Sequence, residues 1–317
     1  MRCSGGDSEA AKKIGRPSYC AKYVMPSEFC NHGGHADSPA GNPSGRSSRG
    51  ADGTQISDPL RGDLPPGDEF ASKRVRPAVR QHRMRNKRVL FIQHSDVDRP
   101  GLLGETLDGI GLPLDVIRPD LGQEVPASLD AFAGLVLGGG PQGAYEQEKY
   151  PYLLSECALV RHAASVGKPV LGLCLGAQIM ASALGARVRP GEPEVGFFEV
   201  SLEPISCYDP LWRGIPAKFV ATHWHGDVFD IPPGGMRLAS SALTPNQLFR
   251  YGHALYGLQF HLEMTPGLLE EAVARAYGIL IESGVDADLI WQQGQECLPM
   301  LRETASTVFT RWSEMLC

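Results

Sequence analysis

One cysteine of the 317-residue chain has neighbours that could support nucleophilic chemistry. The segment PVLGLCLGAQ, residues 169–178, ends an apolar run at Cys174, which stands between Gly172 and Gly176 ahead of a helix-forming stretch. This is the cysteine form of the G-x-S-x-G nucleophile elbow, a sharp strand-to-helix turn whose glycines leave room for neighbouring backbone. The helix dipole would favour the thiolate, and the N–H of Leu175 could bind an oxyanion. We therefore predict that Cys174 is a nucleophile rather than a small buried cysteine of the core.

A thiolate that attacks an acyl group needs a base, and the base needs a group that orients it. The segment GLQFHLE, residues 257–263, places His261 and Glu263 two positions apart at the end of an apolar run. Side chains at i and i+2 share one face of a strand, so one could face the thiol while the other holds the imidazole ring. Alone this would be an ordinary surface pair, but beside the elbow we predict a base and its orienter.

A glycine-rich loop, GGGP at residues 138–141, follows the buried run GLVL. Its N–H groups, unshielded by side chains, could approach an oxyanion. The chain contains no G-x-x-x-x-G-K-[ST] pattern, which disfavours a phosphate-binding loop. A plain tight turn is the alternative interpretation.

The GGGP loop, the GLCLGAQ elbow and the GLQFHLE segment, in this order and spacing, resemble the class I (triad) glutamine amidotransferase family. The segments THWHGD, residues 222–227, and EVGFFEV, residues 194–200, are similar to stand-alone members often compared with the amidotransferase domain of GMP synthase. The resemblance covers roughly residues 87–285. The elbow followed by His-x-Glu is its most specific part.

The resemblance implies hydrolysis of the glutamine side-chain amide through a γ-glutamyl thioester, without a cofactor. Cys174 would attack the carbonyl carbon, His261 would relay the proton, and Glu263 would orient His261. The N–H groups of Gly140 and Leu175 would hold the oxyanion. Three further residues match positions that bind the substrate or line its pocket: Gln178, His225 and Gly226.

The sequence departs from the family pattern in two ways. Leu262 replaces the proline of the commonest His-Pro-Glu sequence, as in stand-alone homologues, so the change bears on subgroup more than on activity. We also expect no synthetase domain, because the residues after 285 are too few to form one. The expected partners are a small-molecule substrate and, if ammonia is passed on, a separate synthetase that accepts it.

Three other functions stay open at this point. A γ-glutamyl peptidase acting on glutathione-like compounds would need no ammonia acceptor. A regulatory or binding module could keep the fold without turnover, although the intact set of Cys174, His261 and Glu263 argues against it. A related group of elbow-cysteine hydrolases has its acid upstream of the cysteine, and the downstream His-x-Glu pair disfavours that group.

A metal site is a further alternative. His223 and His225 form an H-x-H pattern with Asp227 nearby, and such a set can bind zinc or iron. No fourth ligand is evident and the family loop explains these residues better, so we expect no metal.

The elements that would position these residues follow an α/β pattern. Short buried runs alternate with helical stretches up to about residue 190, which indicates a parallel sheet covered on both faces. Later segments are more extended, and closing helices are expected at 268–283 and 298–316. We predict a doubly wound, mostly parallel central sheet with flanking helices and a smaller mixed or antiparallel β portion, a flavodoxin-like class I amidotransferase fold. In such sheets ligands bind beyond the carboxyl ends of the strands, where Cys174 would lie.

Charge separates the first 86 residues from the rest. Residues 1–86 carry 14 Lys and Arg against 9 Asp and Glu, a net charge of +5, whereas residues 87–317 carry 16 against 27, a net charge of −11. The first part is rich in Gly, Ser and Pro and cannot offset its ordering entropy by burial, so we expect a disordered extension, with Met84 a candidate natural start. Residues 87–317 are expected to form the amidotransferase domain, and their acidity disfavours nucleic acid as a partner.

Cysteine usage and hydropathy bear on the environment of the chain. The eight cysteines show no CxxC pair and no zinc-like spacing, which in a chain of this length indicates free thiols of a reducing compartment. No run of about 18 apolar residues suggests a transmembrane helix, and residues 1–86 lack the apolar core of a secretory signal. We therefore expect a cytoplasmic protein with no membrane partner.

Overall fold

A computed structural model of the chain describes residues 87–316. The extension expected at 1–86, with Met84, lies outside these residues. The described part contains these elements: β1 (Val89–Ile92), α1 (Gly101–Gly109), β2 (Leu114–Ile117), a 3-10 turn (Pro119–Leu121), β3 (Gly134–Leu137), α2 (Tyr152–Val166), β4 (Val170–Leu173), α3 (Leu175–Ala183), β5 (Val188–Leu202), a second 3-10 turn (Pro204–Tyr208), β6 (Lys218–Phe229), β7 (Gly235–Ser240), β8 (Leu248–Tyr251), β9 (Leu255–Leu258), α4 (Pro266–Glu282) and α5 (Ala287–Met315).

The strands form one sheet in the order β2-β1-β3-β4-β9-β8-β7-β5-β6. The first five strands in this order are parallel, and the pairs from β9 to β6 are antiparallel. The predicted α/β fold is therefore confirmed, and the antiparallel strands extend the parallel sheet directly. Leu173 of β4 pairs with Leu258 of β9, so the chain segments after these two strands leave the sheet at the same edge.

Alternating side chains of the central strands pack against helices on opposite faces. Val89 and Phe91 of β1 belong to an apolar cluster that includes residues of α1, α4 and α5. Leu90 and Ile92 belong to a second cluster, with residues of α2 and α3. Each of these four side chains is fully buried. A strand covered on both faces reads as a continuous apolar run, which is why the sequence indicates the parallel strands clearly.

Two elements differ from the expectation. Strand β8 has no counterpart in the prediction, because its four residues, LFRY, are too few to show a period. Helix α5 begins at Ala287 instead of residue 298, capped by the Asp286 side chain, which accepts from the N–H of Leu289 at 3.0 Å. Pro299 lies inside this helix. A proline forgoes one helical hydrogen bond, and burial of side chains on both sides of it offsets that loss.

The described residues also bear on two expectations about the environment. Cys157, Cys174 and Cys207 form no disulfide, as free thiols should. Among the helices between residues 87 and 316, none combines the length and the apolar character that crossing a membrane requires.

Candidate active site

Cys174 lies at the corner between β4 and α3 with φ 51° and ψ −105°. It has a positive φ, and no other non-glycine residue among those described does. A Cβ added at Gly176 would lie 2.1 Å from the carbonyl oxygen of Leu137, and one at Gly172 would lie 2.6 Å from the carbonyl carbon of Gly176. The glycines therefore allow the backbone to pack closely at the turn. Strain of this kind persists where the surrounding structure holds it, and it is typical of functional sites.

The elbow is fixed by the segment that follows β9. The N–H of Cys174 donates to the carbonyl oxygen of Leu258 at 2.7 Å. The sulfur is close to two polar groups: the Gln259 amide nitrogen at 3.7 Å and the Trp224 carbonyl oxygen at 3.7 Å. Cys174 as a whole is 5% exposed. The thiol is thus nearly buried, at the first turn of a helix, with a side-chain donor directed toward it.

His261 and Glu263 are in direct contact, as their spacing suggests. Nδ1 of His261 lies 2.5 Å from Oε1 of Glu263, and both side chains are buried. The expectation that they sit on a strand is wrong, because β9 ends at Leu258. The segment instead crosses to β6, where the N–H of His261 donates to the carbonyl oxygen of Thr222 at 2.8 Å. This single bridge keeps the backbone extended enough for i and i+2 to meet.

The other ring nitrogen of His261, Nε2, makes no hydrogen bond among the described residues. His261 lines the same cavity as Cys174. Burial lowers the pKa of His261, but the Glu263 carboxylate and the Cys174 sulfur together raise it well above its usual value. The histidine is therefore protonated at neutral pH, with its unpartnered nitrogen on the cavity side. Of the nearby acids, Glu263 is the one bonded to His261; the upstream Asp98 instead accepts a hydrogen bond from Ser95.

The glycine loop after β3 packs against both groups. The carbonyl oxygen of Gly138 accepts a hydrogen bond from the N–H of Gly176 at 3.1 Å. A Cβ at Gly139 would lie 3.2 Å from Cε1 of His261, and one at Gly140 would lie 2.7 Å from Cδ2 of Leu175. Gly140 and Leu175, the two residues expected to hold an oxyanion, are therefore neighbours beside the thiol.

Two cavities meet at Cys174 and Gly140. The smaller, of about 20 Å³, is lined by all three residues expected to bind substrate, together with Asp227: Gln178, His225 and Gly226. The larger, of about 330 Å³, is lined by His261, by Glu263 and by apolar side chains of α4. The side-chain nitrogen of Gln178 donates to the carbonyl oxygen of Asp227 at 3.2 Å, which ties α3 to β6. The thiol thus lies between a small polar pocket and a wide, mostly apolar one.

The histidines considered as metal ligands form a buried polar cluster. His223, His225 and Glu194 place ligand-type atoms within 4.8 Å of one another, and Asp227 is not part of this group. The amide nitrogen of Gln247 lies between them, 2.7 Å from Glu194, 3.3 Å from His223 and 3.4 Å from His225. An amide N–H donates and cannot ligate a metal, so this arrangement fits a hydrogen-bond network better than a metal site. The network holds His225 in the wall of the smaller cavity.

Electrostatics supports that interpretation. Burial raises the pKa of Glu194, but hydrogen bonds to His223 and His225 lower it overall, so the carboxylate is charged. Burial lowers the pKa of His223. A charged acceptor beside a neutral imidazole is satisfied by N–H donors such as the Gln247 amide.

Sequence reasoning missed two groups near the site. His94 and Asp98 follow β1, and Glu156 lies on α2. The side chains of His94 and Glu156 are fully buried and 2.9 Å apart. Polar residues after the first strand of a doubly wound sheet lie at the ligand-binding edge, and that position was a usable signal for His94 and Asp98. Nothing in the spacing indicates Glu156.

Comparisons with known proteins agree with this geometry. The model of the family "Glutamine amidotransferase class-I" matches residues 103–278. A putative glutamine amidotransferase-like protein, YfeJ, of Salmonella typhimurium is 32% identical over 187 residues, which cover 58% of this chain and 78% of that protein. One of the separately encoded subunits of the glutamine-hydrolysing GMP synthase of Methanothrix thermoacetophila is 33% identical over 146 residues, which cover 45% of this chain and 74% of that relative.

Solved structures show the same likeness. The crystal structure of a glutamine amidotransferase from Thermotoga maritima superimposes with a TM-score of 0.68 at 29% sequence identity, and the match covers 72% of this chain and 99% of that one. The family match spans more than half of the chain and includes β3, the elbow, β9 and the His261–Glu263 segment. The chain therefore belongs to the class I glutamine amidotransferase family.

Proposed function

We propose that the chain hydrolyses the side-chain amide of glutamine through a γ-glutamyl thioester on Cys174. The observation that carries this proposal is the meeting of Cys174, at a strained elbow, with a histidine that is bonded to a buried carboxylate. Family membership supports glutamine amide hydrolysis in general. Assignment of Cys174, His261 and Glu263 as a triad is our step beyond that membership.

The geometry suggests how the reaction would run. The thiolate attacks the amide carbon, and the negative charge that develops on oxygen is held by the N–H groups of Gly140 and Leu175. The C–N bond breaks as Nε2 of His261 gives its proton to the departing nitrogen, and ammonia leaves. A water then gives a proton to His261 and attacks the thioester, which releases glutamate and restores the thiolate. Glu263 holds the ring in one orientation throughout.

The two cavities suggest the direction of the substrate. A leaving nitrogen must lie near the acid that protonates it, and His261 lines the larger cavity but not the smaller. The γ-glutamyl group would therefore enter the smaller, polar cavity beside Gln178 and His225. That cavity holds about one water in the unliganded chain. We expect the 3.4 Å contact between the Tyr145 hydroxyl and Asp227 at its side to open on binding.

A γ-glutamyl peptidase is our second candidate, because the larger cavity is much wider than ammonia requires. A volume of about 330 Å³ lies within the range of small-molecule sites. A cysteinyl-glycine leaving group would fit there. A catalytically silent binding module is the least favoured candidate, since nothing in such a module would require the strained elbow and the paired histidine together.

The proposal extends to partners and location. The matched GMP synthase polypeptide of Methanothrix thermoacetophila is one of several that make up that enzyme. By analogy, an ammonia-accepting synthetase on another chain would be the partner for the glutaminase reaction. Residues 87–317 would form the catalytic domain, and thiol usage favours the cytoplasm. Steady-state hydrolysis of glutamine by the purified chain and by Cys174→Ala, with Cys207→Ala as a surface-thiol control, tests the central assignment.

A further inference from the structure

A fully buried charged pair lies behind the glycine loop and has no part in the chemistry described so far. Nε2 of His94 lies 2.9 Å from Oε2 of Glu156, and both side chains are wholly shielded from solvent. Desolvation makes such a pair a weak source of stability, and replacing it with packed apolar side chains is often neutral. Its presence beside the site therefore raises the question of what it holds in place.

The second nitrogen of His94 answers this question. Nδ1 lies 3.0 Å from the carbonyl oxygen of Gly139. Burial lowers the pKa of His94, but the Glu156 carboxylate raises it overall, so the ring carries a proton on both nitrogens. One N–H is then directed to Glu156 and the other to the Gly139 carbonyl.

A peptide unit is planar and trans, so the carbonyl of one residue and the N–H of the next point in opposite directions. A hydrogen bond that fixes the carbonyl of Gly139 therefore also fixes the direction of the Gly140 N–H. Glycines have unusual freedom in both φ and ψ, and a Gly-Gly peptide could otherwise rotate at little cost. An anchor at this carbonyl removes that freedom where an oxyanion donor must already be aligned.

The packing supports the same link. A Cβ at Gly140 would lie 2.7 Å from Cβ of His94 and 2.7 Å from Cδ2 of Leu175, so Gly140 is packed between these two side chains. The side-chain nitrogen of Gln142 donates to the carbonyl oxygen of His94 at 3.1 Å, which ties the far end of the loop to the same residue. His94 thus contacts the loop on both sides of Gly140.

We propose that His94, held by Glu156, is a positioning residue that keeps the Gly139–Gly140 peptide in the orientation that presents the Gly140 N–H to the oxyanion. This role rests on the proposed function, in which Gly140 is an oxyanion donor. Neither His94 nor Glu156 touches the substrate. Their contribution is made when charge develops on the substrate oxygen, and hence in the transition state and not in substrate binding.

The test compares two double variants. His94→Leu with Glu156→Leu removes the anchor without leaving a buried unpaired charge. His94→Asn with Glu156→Leu restores an amide N–H near the position of Nδ1. Loss of one oxyanion donor costs about 10²–10³ in kcat, so we expect the leucine pair to lose about tenfold or more in kcat with KM for glutamine nearly unchanged. The asparagine variant should recover much of that loss.

Two further readouts separate positioning from general damage. A glutamine-derived aldehyde, which forms a tetrahedral adduct bearing an oxyanion, should bind the leucine pair more weakly in proportion to the fall in kcat. Alkylation of Cys174 by iodoacetamide, which needs no oxyanion site, should keep its rate. Unchanged kcat in a folded leucine pair would overturn the proposal, as would equal losses in kcat, KM and alkylation.

A measurement on the unsubstituted protein keeps the proposal testable if the leucine pair does not fold. The ¹⁵N spectrum of labelled histidine, with His94 assigned through its contact with the Tyr152 ring, should show a proton on Nδ1 at neutral pH. An unprotonated Nδ1 would overturn the inference, because it could not donate to the Gly139 carbonyl. If wild-type protein fails to hydrolyse glutamine or to bind the aldehyde, the proposed function fails instead.

Discussion

Nδ1 of His261 lies 2.5 Å from Oε1 of Glu263, and the residue between them, Leu262, is fully buried in the core. The buried leucine anchors the extended segment, and the two polar side chains emerge together on the other side. The orienting carboxylate is therefore part of the same short segment as the base. This arrangement depends on few distant contacts, which is why the pair could be recognised from its spacing.

Because the two residues act as one unit, their substitutions should not be additive. We expect His261→Ala to reduce kcat for glutamine more than Glu263→Ala, since the carboxylate orients a base that it cannot replace. The double variant should be no more than about twofold worse than His261→Ala alone. Steady-state kinetics on the three folded variants measures this, and losses that multiply would show that the two residues work independently.

The pH profile should report the same contact. Burial lowers the pKa of His261, but Glu263 and Cys174 raise it well above the usual value, so the proton needed by the leaving group is present below that raised pKa and is lost as pH rises through it. Glu263→Gln removes the carboxylate's contribution. The alkaline limb of kcat/KM should therefore move to lower pH in this variant. The assignment would be contradicted by an alkaline limb at the same pH in both proteins.

The wide cavity gives a prediction about the leaving group. We expect glutamine to be the better substrate, and a specificity constant for γ-glutamyl-cysteinyl-glycine tenfold above that for glutamine, about 1.4 kcal/mol, would reverse this ranking. Ala272 lines the larger cavity, whereas Ala274 of the same helix is exposed. Ala272→Phe should reduce cleavage of the tripeptide about tenfold, and change glutamine hydrolysis about twofold at most.

Ala274→Phe is the matched control and should leave the kinetics on both substrates unchanged. Equal losses on both substrates in Ala272→Phe would show that the leaving group does not occupy this cavity.

The elbow glycines give a prediction about stability. A Cβ at Gly176 would lie 2.1 Å from the carbonyl oxygen of Leu137, so Gly176→Ala should lower the free energy of unfolding by about 1–3 kcal/mol or more. Gly278, in the exposed part of α4, has no atom within 4 Å of such a Cβ. Gly278→Ala should instead add about 0.5–1 kcal/mol. Urea denaturation of both variants checks this, and a neutral Gly176→Ala would mean that the turn can relax.

Local patterns account for what the sequence predicts well. The elbow at Cys174 depends on glycines two positions away, and the limits of α2, Tyr152–Val166, follow from its own composition. The parallel strands are indicated because both their faces are buried.

Long-range pairing accounts for what the sequence does not reveal. Glu156 meets His94 across 62 positions, and Gln247 meets Glu194 across 53. No periodicity or motif connects such positions, because each pair is created by strands and helices that pack side by side. The start of α5 at Ala287 is hidden for a related reason: burial against α4 outweighs the local effect of Pro299.

The central claim is that glutamine hydrolysis passes through an acyl group on Cys174, and mass spectrometry of the acid-quenched protein tests it most directly. Full-length protein mixed with glutamine and quenched during turnover should carry one γ-glutamyl group on the peptide that contains Cys174. Cys174→Ala should carry none and should hydrolyse no glutamine, while Cys207→Ala behaves as wild type. A γ-glutamyl group on Cys157 or Cys207, or sustained hydrolysis by Cys174→Ala, would contradict the account.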